Sequence, residues 1–248
     1  YDLGGNEWIQ KGFDIAGEAT DDESGQDIKL NKVGNVIAIS SILNDPDGQS
    51  KAGHVRVYEF KEYTQYDEDN DIYYYSSRLR DTEDDATQTK PIIITENVTT
   101  EPVVGNYYWI QKGEDINGEI KFDRSGFNIA MNIDGSRIAV GEPYFDPIDD
   151  LGSKKNQGGR VRVYEYSNND WVQKGGDING VDTNDYFGYS IDLNEIGDYI
   201  GVGAYRGLSN DGYVKIFKYN FDTDEWELFG SMISGESASG QRFGTSIS

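Results

Sequence analysis

Four tryptophans head four copies of one phrase, and the spacing after each copy is nearly constant. The copies are Trp8-Ile9-Gln10-Lys11-Gly12, Trp109-Ile110-Gln111-Lys112-Gly113, Trp171-Val172-Gln173-Lys174-Gly175 and the looser Trp226-Glu227-Leu228-Phe229-Gly230. Each runs on into a second phrase: Asp14-Ile15-Ala16-Gly17, Asp115-Ile116-Asn117-Gly118, Asp177-Ile178-Asn179-Gly180 and Met232-Ile233-Ser234-Gly235. From Trp to the next marker glycine (Gly25, Gly126, Gly188, Gly244) the distances are 17, 17, 17 and 18 residues. From that glycine to a turn glycine (Gly34, Gly135, Gly197) they are 9, 9 and 9. A unit repeated on such a ruler cannot bury its apolar face alone, so it must stack on its neighbours. The full periods between tryptophans, 101, 62 and 55, differ because two connections vary in length.

Within each repeat the pattern is that of short strands. Ile28-Lys29-Leu30-Asn31, Ile129-Ala130-Met131-Asn132 and Ile191-Asp192-Leu193-Asn194 alternate with period two and close on Asn and a glycine turn. The next segments, Ile37-Ala38-Ile39, Ile138-Ala139-Val140 and Ile200-Gly201-Val202, set large residues on one face and Ala or Gly on the other. Such strands are expected to be buried on both faces, with the small face admitting a close neighbour. A third set begins with glycine: Gly53-His54-Val55-Arg56-Val57-Tyr58, Gly159-Arg160-Val161-Arg162-Val163-Tyr164 and Gly212-Tyr213-Val214-Lys215-Ile216-Phe217. Here the long polar side chains are expected to lie with apolar stems against the sheet and wet tips. The Trp phrase supplies a fourth strand, and no helical apolar stripe is sustained anywhere.

Four short strands per repeat of about 60 residues, with aromatic and glycine punctuation, predict an all-β β-propeller. It would hold about three complete four-stranded blades plus partial blades at both ends, in one array over 1–248. The repeat units run over about 8–108, 109–170 and 171–225, with a partial unit at 226–248. Propellers close with four to eight blades, so the chain is expected to be a piece of a longer array. A β-solenoid and a pair of β-sandwiches are the alternative folds.

At these residues the chain resembles the FG-GAP repeat of integrin-α-like β-propellers. Phe187-Gly188-Tyr189-Ser190-Ile191, followed by Gly201-Val202-Gly203-Ala204, carries the resemblance; Ile138-Ala139-Val140-Gly141-Glu142-Pro143 matches its second half and Phe243-Gly244-Thr245-Ser246-Ile247 its first. That family often carries an acidic calcium loop between its first two strands. The matching stretches here are Lys32-Val33-Gly34-Asn35, Ile133-Asp134-Gly135-Ser136 and Glu195-Ile196-Gly197-Asp198. With one or two acids or none, they are tight turns that depart from the family's calcium pattern.

The ruler breaks in two places. Between the third strand and the Trp phrase, Tyr166 to Trp171 is 5 positions and Tyr219 to Trp226 is 7, but Phe60 to Trp109 is 49. The acidic, Tyr-rich insertion at about 61–106 holds Asp67, Asp69 and Asp71 beside Tyr73, Tyr74 and Tyr75. It is a candidate partner-binding element, since long loops on rigid scaffolds carry binding; the bland alternative is a solvated decoration. Asn97-Val98-Thr99 within it is a glycosylation sequon. The second variable connection lies between the second and third strands. It contains Asn44, Asp45 and Asp47, then Asp146, Asp149 and Asp150, and these oxygen ligands could hold Ca²⁺. Asp, Asn, Pro and Gly are equally the ordinary residues of turns.

Charge narrows the function classes. With 45 Asp plus Glu against 22 Lys plus Arg, the net charge is −23, which argues against nucleic acid and anionic membrane surfaces. There is no Cys, hence no disulfide framework or thiolate site, and His54 is the single histidine. It fills the slot of Arg160 and Tyr213 in the sister repeats and reads as an exposed strand residue. No catalytic residue, cofactor or nucleophile elbow stands out, so the expectation is that the chain is not an enzyme. The reading is an extracellular or particle-surface binding and adhesion module, with recognition of a protein or glycan through the insertion and the inter-strand loops. The alternative is a structural subunit of a filament, cell coat or virion, with a homo-oligomer or larger assembly as its partner state. A propeller lectin or glycoside hydrolase ranks below both.

Overall fold

The structure is a computed structural model that describes residues 2–4, 7–67, 72–76, 106–149, 151–235 and 240–248. It is all-β, built of antiparallel sheets whose core is four strands in chain order. The residues sort into two compact units: Tyr1–Ala16 with Tyr58–Lys112, and Gly17–Val57 with Gly113–Ser248. No helix among the described residues is long and apolar enough to cross a membrane.

In the larger unit, strands β3 (Ser24–Leu30) and β4 (Val36–Ser41) are followed by the head of β5 (His54–Asp67), and the short β8 (Ile116–Asn117) pairs with that head. The second sheet is β9 (Asn128–Met131), β10 (Arg137–Glu142), β11 (Arg160–Ser167) and β12 (Asp170–Gln173), with β13 (Ile178–Asn179) against the head of β11. The third repeats this with β14 (Ser190–Leu193), β15 (Tyr199–Ala204), β16 (Tyr213–Asn220), β17 (Glu225–Leu228) and β18 (Ile233–Ser234). The strands fall where the repeat placed them. The second sequence phrase also has a structural role that periodicity did not show: it is the short strand facing the head of the third. Its register is the same each time, with His54↔Asn117, Arg160↔Asn179 and Tyr213↔Ser234.

The sheets of this unit bury their faces on one another. One core joins Val36, Ala38, Val55 and Val57 to Ile129, Ile138 and Val140; a second joins Ala130, Ala139, Val161 and Val163 to Ile191, Ile200 and Val202. Every residue of β10 is buried, as its Ala-bearing face requires. The first strands lie side by side. Asp27 Oδ2 accepts from Asn128 Nδ2 at 2.9 Å and from the Ile129 amide at 2.8 Å, and Asn128 Oδ1 accepts from the Ile191 amide at 2.8 Å. At the other end of these strands, Asn31, Asn132 and Asn194 each cap the following turn by accepting two backbone amides. The close approach of loop to strand demands glycine at the start of β11: Gly159 has φ +84°, and a Cβ there would stand 2.1 Å from the Phe187 carbonyl oxygen.

In the smaller unit, β1 (Asp2–Gly4) pairs with β2 (Glu7–Ile9), and the remainder of β5 pairs with β6 (Ile72–Ser76) and β7 (Tyr107–Gln111). The insertion therefore begins as a hairpin that prolongs β5. Phe60 stacks on Tyr107, and Trp109 Nε1 donates to the Lys11 carbonyl at 3.1 Å.

Candidate functional site

The polar chemistry of the larger unit gathers where the third strands begin. Each head receives side chains from the same six repeat positions: two on the third strand, one ending the second strand, two in the loop before the first strand, and one opening the Asp-Ile phrase. In the second sheet these are Arg160, Arg162, Glu142, Glu119, Asp123 and Asp177. In the first they are His54, Arg56, Ser41, Glu18, Asp22 and Asp115; in the third, Tyr213, Lys215, Ala204, Val181, Asp185 and Met232.

The second head is an ion network. Glu142, fully buried, accepts from Arg160 Nε at 2.6 Å and from Arg162 Nε at 3.0 Å. Arg160 Nη1 donates to both Glu119 and Asp177 at 2.9 Å, and its guanidinium lies 3.8 Å from the Phe145 ring centroid. Burial disfavours the Arg160 charge, but Glu142 and then Asp177 outweigh it and hold the group protonated. Asp123 is pushed up to about 7, first by burial and then by the charge of Glu142, with Arg160 and Arg162 offsetting part of this. Its Oδ2 is buried and has no hydrogen-bond partner among the described residues. The expectation of wet tips is thus corrected: Arg160 and Arg162 are buried, because carboxylates of three elements converge on them.

The first head is different. His54, expected to be exposed, is 1% exposed. Its Nδ1 lies 3.6 Å from Asp115 Oδ2 and 3.8 Å from Glu18 Oε2, outside hydrogen-bond distance. Burial lowers its pKa, against the raising influence of Asp115, so the imidazole is neutral near pH 7. Glu18 Oε1 pairs with Arg56 Nη1 at 3.3 Å, and Asp22 accepts from Asn44 Nδ2 at 2.9 Å. The third head has fewer charged members, Lys215 and Asp185: Tyr213 donates its hydroxyl to Asp185 at 2.7 Å, and burial raises the pKa of both Tyr213 and Asp185.

Beside the third head lies a cleft of about 440 Å³ lined by Asp182, Thr183, Asn184, Asp185, Arg206, Leu208, Ser209 and Asn210. Its floor loop bends through three consecutive left-handed residues, Leu208, Ser209 and Asn210, with φ of 51°, 62° and 78°. Aromatic rings join it on one side. Tyr186 touches Tyr144 and Tyr205 at centroid distances of 5.6 and 5.5 Å, and Tyr189 lies 4.2 Å from Tyr205. Arg206 sits 5.2 Å over Tyr186, and Arg124 4.7 Å over Tyr144. All of these residues come from inter-strand loops; Tyr189 stood out in the sequence only as part of a repeat motif and Ser209 and Asn210 only as turn residues, and the dispersed Tyr and Arg positions form a cluster only once the sheets stack.

The residues singled out for calcium are placed separately. Asp45 accepts the Lys51 amide at 2.6 Å, and Asp47 is exposed at a left-handed turn position. Asp146 accepts the Gln157 amide at 2.6 Å and pairs with Lys154 at 2.8 Å; Asp149 accepts the Leu151 and Ser153 amides and pairs with Lys155 at 3.1 Å. Asn44 is drawn inward to Asp22. Asp150, Asp69, Asp71 and Asn97 lie outside the described residues. Asp67 ends β5 opposite Ile72, and Tyr73, Tyr74 and Tyr75 pair with Tyr66, Gln65 and Tyr63 in the hairpin.

No protein-family description matches the chain, and no curated protein matches it. Among solved structures it is similar to the crystal structure of a "putative 6-phosphogluconolactonase" from Bacteroides uniformis, at 11% identity and a TM-score of 0.36, covering 84% of this chain and 54% of that one. It is also similar to Hsv2 from Kluyvelomyces marxianus, at 9% identity and a TM-score of 0.23, covering 82% and 96%. The chain thus spans about half the length of the first structure. The expectation that the chain is not an enzyme is corrected here, because a structure titled as an enzyme is among those it resembles. Scaffolds of one architecture carry catalytic and binding sites alike, so the lack of a sequence motif was no ground for that exclusion. Neither likeness assigns this chain an activity.

Proposed function

We propose that the chain is a β-propeller-type repeat array, FG-GAP-like in its repeats, that acts as a surface recognition module through the loop end of its sheets. The sheets would be successive blades, with β3, β9 and β14 as the inner strands. The cleft between Asp182 and Asn210 carries this reading. Its lining offers two carboxylates, two amides, two hydroxyls and Arg206, which lies over the Tyr186 ring beside Tyr205. Polar groups that fix hydroxyls, next to rings that cover an apolar face, suit a polyhydroxylated ligand such as a glycan. The three left-handed residues in the floor loop support it, since local strain concentrates at ligand sites. Extracellular or particle-surface placement, and a contribution from the insertion, belong to the same reading.

Glycan-array binding tests it. The chain should retain one saccharide class that a variant carrying Asn184→Ala, Tyr205→Ala and Arg206→Ala does not, at an unchanged melting temperature. Equal binding by the two proteins would move recognition elsewhere.

A further inference from the structure

Two of the three strand heads present the same pair of acids. In the second sheet, Glu119 and Asp177 converge on one nitrogen, Arg160 Nη1, each at 2.9 Å. In the first sheet their counterparts Glu18 and Asp115 converge on His54 Nδ1, at 3.8 and 3.6 Å. The fold therefore builds the same acidic clasp twice; Arg56, like Arg162, pairs with the glutamate of its clasp, but the guanidinium that both acids share is present only once. The glutamate equivalent to Glu142 is Ser41 here, so the missing guanidinium has not been exchanged for another charge pair.

We propose that the head of the first sheet binds a divalent transition-metal cation of the Zn²⁺ class, held by Glu18, His54 and Asp115. The three ligand atoms, one nitrogen and two carboxylate oxygens, lie within 4.8 Å of one another. Ligands about 2.0–2.2 Å from a tetrahedral Zn²⁺ stand about 3.4 Å apart, so the observed 3.6 and 3.8 Å need contract only slightly. The separations are too long for direct hydrogen bonds and close to what an intervening ion requires. Glu18 is already oriented for this: Oε1 is held by Arg56 at 3.3 Å, and Oε2 is the oxygen facing the imidazole. Such outer contacts fix the direction of a ligand.

A second observation comes from the ring itself. His54 is 1% exposed, and its Nε2 is buried with no hydrogen-bond partner among the described residues. Nδ1, facing Glu18 and Asp115, is therefore the ring nitrogen placed to meet an ion. Glu18 and Asp115 are more open, with side chains 45% and 26% exposed, which leaves an entry path from solvent. Imidazole with two carboxylates favours Zn²⁺, Co²⁺ or Ni²⁺ over Ca²⁺ and Mg²⁺, which take oxygen alone. The proposal stands apart from ligand recognition at the Asp182–Asn210 cleft and does not depend on it.

His54→Arg restores the residue of the sister repeat. After chelator treatment of the chain and exchange into metal-free buffer, Zn²⁺ is titrated calorimetrically into wild type, His54→Arg and His54→Gln in excess Ca²⁺, which occupies the scattered surface acids. Wild type should bind one equivalent that both variants bind at least about tenfold more weakly. Co²⁺ should give the visible absorption of a nitrogen–oxygen site in wild type only. Zn²⁺ should raise the thermal midpoint of wild type and leave that of His54→Arg unchanged. Equal Zn²⁺ affinity in wild type and the variants, or no binding by wild type at about 0.1 mM free Zn²⁺, would overturn the site.

Discussion

Arg160 in the second sheet and His54 in the first stand at one register position, opposite Asn179 and Asn117. Arg160 bonds carboxylates from three segments of chain, whereas His54 meets two carboxylates that stay just beyond hydrogen-bond reach. The backbone is repeated but the charge chemistry is not. In the second head, burying two guanidiniums is tolerable because Glu142 is buried between them. In the first head nothing equivalent exists, so its stability should respond to what the solvent supplies. A repeat architecture thus keeps packing constant while its strand heads diverge.

The contrast is broken most severely at Glu142. Glu142→Ala leaves two buried guanidiniums without their shared partner and should cost about 3–5 kcal/mol, read from urea denaturation midpoints. Ser41→Ala, its counterpart in the first sheet, should cost less than about 1 kcal/mol. Near-equal losses would show that the second head is no more dependent on ion pairing than the first.

Asp123 sharpens the same comparison through pH. Its folded pKa of about 7 lies above the 3.8 of an ordinary carboxyl, so the folded chain holds this proton longer than the unfolded one. The stability it contributes is fully present below 3.8 and is lost as pH rises through 7. Asp123→Asn should therefore be more stable than wild type at pH 8, by on the order of 2 kcal/mol, with the advantage fading toward pH 4. Parallel denaturation curves over that range check it; a pH-independent difference would mean that Asp123 titrates normally.

Packing should be matched where chemistry is not. Ala38 and Ala139 are both fully buried, each in a core shared by two sheets. Ala38→Leu and Ala139→Leu should each cost about 1–3 kcal/mol by overpacking, and a neutral result at either would mean that its sheet face has room to spare. The smallest effects belong to the turns. Asn31→Ala and Asn132→Ala each remove acceptors of two backbone amides and should cost about 1 kcal/mol apiece. A large difference between these two in denaturant titration would show that the sheets differ beyond their heads.

Strand positions were legible in the chain because each depends on near neighbours: period-two alternation, an Asn closing the first strand, a glycine at the turn. Asn132 and Gly135 announce their turn without help from any distant residue. The insertion was legible as a break in the ruler, and its opening hairpin follows from the β-branched and aromatic residues that flank it. The site was read less well. His54 was aligned with Arg160 and Tyr213, but strand alternation alone placed it in solvent. The acids it faces, Glu18 and Asp115, are 36 and 61 positions away in sequence. The tyrosines around Tyr205 were equally silent, being spread over three separate loops.

The sequence by itself determined the four-stranded unit, its repetition and the small-residue faces, since local hydrogen bonding and side-chain size dictate these. Only the tertiary structure decided which polar residues meet. Charge partners are chosen by distance in space, and the loops that deliver Glu18, Glu119, Asp123 and Asp185 to the strand heads carry no periodic pattern. Whether an arginine at one register position is a wet tip or the centre of a buried network depends on those deliveries. That is why the same slot holds a buried ion network in one sheet and a neutral imidazole facing two acids in another.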